Sequence, residues 1–298
     1  MDRVAVFALV LLAGYATRVL LEAVLKSSLY YRMLVDILVK LVYYVLIPLA
    51  FVSIFISRGL MLTDVYVFLY FVLFVIVTYF SVKRIKREHY MSLFLTSTFP
   101  NSVFLGFPAV EVLFGRVHIA ALFGVTTVVL NVVVPDLIVS KRAPIRAIIS
   151  STGFLGFTAG VLGFYTLGDV AWRIHELIKW SSPLLSYTAT YTMGLRIPIK
   201  LSYTSEVREM LFISSIYRYL LAPLLALVFV LVLDMNLVDK AEFVVISLMP
   251  PAVLNALVAE KYGWNSQLVA LTITLLTVFF LVLIFPVLIV AVKLLVYT

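Results

Sequence analysis

Asn101 and Ser102 directly follow Pro100, and Asn255 stands shortly after the pair Pro250-Pro251, each group set inside a long apolar stretch. What these side chains offer is hydrogen bonding by uncharged groups. Proline suits the first turn of a helix, so new helical segments are expected to begin near Asn101 and Ala252. A helix start presents unpaired N–H groups and the positive end of the macrodipole. Two such starts facing one place would favour an anion.

Other chemistries fit the sequence less well. Cysteine is absent, which excludes disulfides, thiolate metal sites and cysteine nucleophiles. His89, His118 and His175 all fall at the flanks of apolar runs, and no H-E-x-x-H spacing occurs. No Ser/His/acid set can be assembled within the apolar segments, so an intramembrane enzyme is not expected. Neither a receptor nor a purely structural membrane protein would need two matching proline breaks.

The elements that position these residues are membrane spans. Hydrophobic residues make up 64% of the 298 positions and charged residues 13%, against about half and about a quarter in soluble domains. The formal charge is +8, but the basic residues lie in short clusters between apolar runs, so they read as orientation signals and no nucleic-acid partner is expected. The run Val4 to Ala16 could pass for a signal-peptide core. Met1-Asp2-Arg3 lacks the net positive charge expected before one, and the apolar run continues to Val24.

A span needs about 20 apolar residues. Ten are expected: Val4 to Val24, Leu34 to Phe55, Val65 to Val82, Tyr90 to Phe114, Ile119 to Val139, Ile145 to Leu167, Leu177 to Leu195, Met210 to Leu233, Ala241 to Val258 and Leu268 to Val296. Loops after odd-numbered spans carry Lys26 and Arg32, the run Lys83-Arg84 with Lys86-Arg87, Lys141 with Arg142 and Arg146, then Arg196, Lys200, Arg208 and Lys261. The other face has fewer: Arg3, Arg58, Arg116, Arg173, Lys179, Lys240 and Lys293. The richer face is cytoplasmic by the positive-inside rule, which places both termini of this multi-pass cell-membrane protein outside the cytoplasm.

The halves share punctuation. "FPNSVFLGFPAVEVLFG" in the fourth span is echoed by "MPPAVLNALVAEKYG" in the ninth, Pro135 by Pro286, and Pro48 by Pro183. Five spans per half is odd, so residues 1–142 and 143–298 would run in opposite senses as an inverted repeat. Pro100 lies near the middle of its span, and so does Pro250. A proline there frees backbone groups that lipid cannot satisfy, so the double break implies a cavity.

At these residues the sequence resembles the auxin efflux carrier family. The likeness rests on "FPNSVFLGFPAVEVLFG", on "SLMPPAVLNALVAEKYGWNSQLVALTITLLT", and on "KLVYYVLIPLAF", "SSPLLSYTATYTMGL" and "YLLAPLLAL". It implies an all-α integral membrane carrier of ten helices in two inverted five-helix repeats. Helices 4 and 9 would be broken at prolines and cross at mid-membrane, at Pro100 with Pro250 and Pro251, and Asn101 would be the polar contact. The family carries auxin or small organic acids, often as anions. It further implies a homodimer and no cofactor. The long hydrophilic loop of the plant hormone carriers is missing here, which makes a compact prokaryotic-type member the better match and an auxin substrate doubtful.

Further polar residues sit within the spans. Arg218 is expected to snorkel or to pair with Asp136, with attraction of the substrate as the alternative, and Lys40 is a similar case near the inner mouth. The seventh span carries Ser182, Ser186, Tyr187, Thr190 and Tyr191; one face of it is expected to line the cavity, although hydroxyls also bond to their own helix backbone. Asn131, Thr274 and Thr277 lie near mid-depth, within reach of the breaks. No Asp or Glu does, so ion coupling lacks an obvious carboxylate, and uniport of a small organic anion is the default. The alternative is a sodium-coupled organic-anion symporter resembling the bile acid family, with sodium held by backbone carbonyls at the breaks.

Overall fold

The computed structural model describes residues 3–24, 28–85, 89–140, 151–197 and 205–296. The expected boundary after residue 142 and the basic residues Lys26, Lys86, Arg87, Lys141, Arg142, Arg146 and Lys200 lie outside the described residues. Among the described residues the fold is all-helical. The helices are α1 (Arg3–Val19), α2 (Ser28–Leu41), α3 (Ile47–Arg58), α4 (Leu62–Arg84), α5 (Tyr90–Thr98), α6 (Phe107–Phe114), α7 (His118–Ser140) and α8 (Thr152–Thr166). There follow α9 (Asp169–Ile178), α10 (Ser181–Arg196), α11 (Ser205–Ile216), α12 (Ala222–Val232), α13 (Leu237–Ser247), α14 (Leu254–Lys261), α15 (Ser266–Phe279) and α16 (Phe285–Val296).

Among the described residues, six continuous rods are long and apolar enough to cross a membrane: Ala5–Glu22, Leu29–Arg58, Leu62–Arg84, His118–Val139, Ser205–Val232 and Ser266–Leu294. Ten spans were expected. Two of the other four are cut at prolines, and α8 adjoins undescribed residues. The seventh is shorter than expected because α9, an amphipathic helix that buries Ala171 and exposes Trp172 and Leu177, forms separately before it.

The prolines also explain most of the π-turns. Val42–Leu46, Ser102–Gly106, Tyr217–Leu221 and Phe280–Ile284 each end two residues before a proline: Pro48, Pro108, Pro223 and Pro286. In α geometry a proline ring collides with the carbonyl four residues back. The wider turn relieves this by closing on the preceding residue, as when Ile47 N–H donates to Val42 O and Phe285 N–H to Phe280 O. In that register the next carbonyl meets the proline nitrogen, which has no hydrogen. At Tyr43 the missing donor is replaced by Thr152 Oγ1, 2.7 Å away. Pro183, by contrast, falls in the first turn of α10, where a missing N–H costs nothing. The echo of Pro48 by Pro183 therefore does not extend to their places in the helices.

Small residues set the closest packing. Gly153, Gly156, Gly160 and Gly163 are the buried residues of α8, and they let it lie directly on α3. A β-carbon at Gly156 would stand 2.5 Å from the Pro48 carbonyl oxygen. Gly14 and Gly194 likewise bring α1 and α10 into backbone contact, the small-residue packing favoured between membrane helices. Elsewhere the interior is aromatic: Tyr70, Phe123 and Phe243 are buried, and their ring centroids lie 5.3–5.6 Å apart. The outer surface is apolar too, with Leu231 80% and Val232 78% exposed, as suits a surface covered by lipid.

Candidate functional site

Two breaks in the helices meet. The first lies between α5 and the π-turn at Ser102–Gly106, the second between α13 and α14. Pro100 and Pro251 form an antiparallel bridge. Asn101 N–H donates to Pro250 O at 2.7 Å, and Ala252 N–H donates to Phe99 O at 2.8 Å. Prolines cannot donate, so each broken segment takes its missing partners from the other. That reciprocity holds two severed helices together without a sheet.

Downstream of the first break, Asn101 acts as a cap. Its Oδ1 accepts from Phe104 N–H at 3.2 Å, and its backbone carbonyl accepts from Gly106 N–H at 2.8 Å. The amide nitrogen Nδ2 donates to the thioether of Met193, at 3.6 Å, a weak acceptor. Ser102 Oγ lies 3.2 Å from Thr127 Oγ1. On the other segment, Asn255 Oδ1 accepts from Asn131 Nδ2 at 2.7 Å, while Asn255 Nδ2 donates to Leu95 O and Phe99 O at 2.9 and 3.3 Å. Asn131 is fully buried and its Oδ1 has no partner among the described residues.

The upstream ends carry the opposite problem, because a helix C-terminus leaves carbonyls without donors. Arg218 resolves it. Its guanidinium is 1% exposed and donates to Met249 O at 3.0 and 2.8 Å, to Ser247 O at 2.8 Å and to Thr98 O at 3.2 Å. The positive charge thus sits on the negative ends of α5 and α13 together. Neither expected structural role for Arg218 holds: its guanidinium is enclosed among the helices, and Asp136 instead lies 3.1 Å from Lys261 Nζ. Lys40 is largely exposed and pairs with Asp36 at 2.7 Å, so it takes no part in the site.

Beside the bridge lies a small cavity of about 70 Å³ whose walls include Pro100, Asn101, Ser102, Thr127, Asn131 and Arg196. A second, of about 260 Å³, includes Met193, Thr274 and Thr277, and the two share Arg196, Val253 and Leu257. Pro250, Pro251 and Asn255 do not line either cavity; they contact the lining residues Asn101, Pro100 and Asn131. Tyr187 and Tyr191 are placed elsewhere: Tyr187 is 50% exposed on the outside of α10, and Tyr191 OH donates to Thr17 Oγ1 at 2.8 Å. The hydroxyls of α10 serve neighbouring helices or their own backbone, Ser186 reaching Glu111 and Thr190 the Ser186 carbonyl. What α10 brings to the cavities is Met193 and Arg196. In the sequence Arg196 shows only as an orientation signal; its place in the last turn of α10 is the feature that points to the cavity.

The second break and both of these residues fall within residues 188–289, which match a family model described as membrane transport protein. The match spans about a third of the chain and agrees with the resemblance to the auxin efflux carrier family. This is a family of membrane transporters, and the apolar rods described above agree with a multi-pass membrane protein. A search of curated proteins found no match.

Proposed function

We propose that the protein is a secondary carrier for a small organic anion, a carboxylate, working by alternating access with its site where the two broken helices meet. On this reading the chain forms ten spans in two inverted five-helix repeats, divided near residue 142. Helices 4 and 9 cross at mid-membrane, and both termini lie on the extracytoplasmic side of the cell membrane. It is not an enzyme and needs no cofactor.

The observation that carries the reading is the reciprocal pairing of Asn101 N–H with Pro250 O and Ala252 N–H with Phe99 O. It brings two helix starts beside one cavity, where their dipoles favour negative charge, as in the broken helices of other secondary transporters. The sodium-coupled alternative needs free carbonyls at the breaks. Those of Thr98, Ser247 and Met249 already receive the Arg218 guanidinium, so a fixed cation stands where a mobile one would be coordinated. Gradient-driven uniport is the preferred mode.

The test is uptake of a panel of labelled mono- and dicarboxylates into liposomes holding purified protein, with and without sodium. Uptake above that of empty liposomes and unchanged by sodium removal is expected. Uptake of none of the panel contradicts the carrier reading, and strict sodium dependence favours the alternative.

A further inference from the structure

We propose that Arg196 is a second anion-binding group of the same cavity and that the preferred substrate is a small dicarboxylate, an inference that rests on the carrier reading above. Among the described residues lining the two cavities, Arg196 is the one that carries a charge, and it stands on the wall they share.

The usual employment of such a residue is already taken. A basic side chain in the last turn of a helix ordinarily serves that helix's free carbonyls. At the end of α10 this is done by Arg18, whose Nη1 donates to Leu195 O at 3.3 Å and to Ile197 O at 3.1 Å while its Nε contacts Glu22 at 3.2 Å. Arg196 is left without a hydrogen bond or ion pair among the described residues. The other arginines enclosed by the helices are engaged: Arg58 with Asp64, Arg116 with Asp239 and Glu242, and Arg218 with three carbonyls.

A partly enclosed guanidinium with no partner is costly unless an anion reaches it. Its planar fork of donors matches a carboxylate in two parallel hydrogen bonds. The helix starts at the bridge favour negative charge independently and line the first cavity through Asn101 and Ser102. Two electropositive features bordering one space are best satisfied by one ligand with two negative groups.

Succinate and butyrate test this, since both are four-carbon chains and differ in the second carboxylate. Half-saturation of transport is measured for each in liposomes with wild-type protein, Arg196→Gln and Arg196→Lys. Losing a charged hydrogen bond weakens binding by roughly ten- to a hundredfold. Arg196→Gln should lose about that much for succinate and no more than about threefold for butyrate, and Arg196→Lys should recover part of the succinate loss. Comparing the two substrates within each variant removes any effect of folded fraction. Equal losses for both substrates, or no loss for succinate, overturns the role of Arg196 while leaving the carrier reading intact. Wild-type protein that carries butyrate and not succinate does the same. Wild-type protein that carries neither overturns the dicarboxylate preference, and the carrier reading falls with it when the full panel is not carried either.

Discussion

Asn131 Nδ2 donates to Asn255 Oδ1 at 2.7 Å, which ties α7 to the segment beyond the second break. Asn255 in turn holds the Leu95 and Phe99 carbonyls at the end of α5. One carboxamide therefore links three segments, and replacing it leaves several buried groups without partners. Asn255→Leu should destabilise the protein by about 1–3 kcal/mol for each such group, read as a fall in the thermal midpoint in detergent. Asn131→Leu should cost less, because Asn131 Oδ1 already lacks a partner among the described residues. Equal midpoints for Asn255→Leu and wild type would contradict the link.

Arg218 can be tested through its geometry. Arg218→Met strands the carbonyls of Thr98, Ser247 and Met249 and should yield little folded protein. Arg218→Lys keeps the charge but loses the fork, and should give a folded protein with a clearly lower midpoint. Size-exclusion profiles with thermal melts decide it, and a wild-type profile for Arg218→Met would contradict the account.

The contact between α3 and α8 depends on the absence of a side chain. Gly156→Ala places a methyl 2.5 Å from the Pro48 carbonyl oxygen, a backbone atom that cannot step aside. Gly153→Ala meets only side chains of Phe51 and Ile47, the nearest atom at 3.3 Å. The first substitution should lower the midpoint by several degrees and the second by much less; the reverse order would mean that the helices separate easily.

A chain without cysteine allows direct mapping of orientation. In intact cells, a cysteine replacing Arg173 should react with an impermeant maleimide, and one replacing Lys83 should react only after permeabilisation. The opposite pattern would invert the topology.

Much of this was legible in the residues. Apolar runs give the helices, and the prolines at 100, 250 and 251 locate both breaks because no other residue type removes the donor and also crowds the preceding turn. The depth of the prolines and the opposite sense of the two half-helices lead both helix starts to the same level, but the two hydrogen bonds that pair them join residues some 150 positions apart, which no local pattern displays. Arg218 and Arg196 were harder. A sequence displays charges and depth but not carbonyls, so Arg218 was sought beside Asp136 when its partners were backbone atoms. Arg196 looked like an orientation signal because the residue that relieves it of capping, Arg18, comes from the far end of the chain. Tyr187 and Tyr191 were chosen for polarity, which does not say on which side of a helix a cavity lies.

The central claim is that an anion binds where Asn101 caps the first broken helix, and the most direct test is the initial rate of carboxylate uptake by Asn101→Ala against wild type at equal incorporation in liposomes. Loss of the cap should cost stability of only about 1 kcal/mol, so the variant should fold and insert. The account predicts that uptake falls by about tenfold or more, as for loss of a hydrogen bond to a charged group. Uptake equal to wild type would place the site elsewhere.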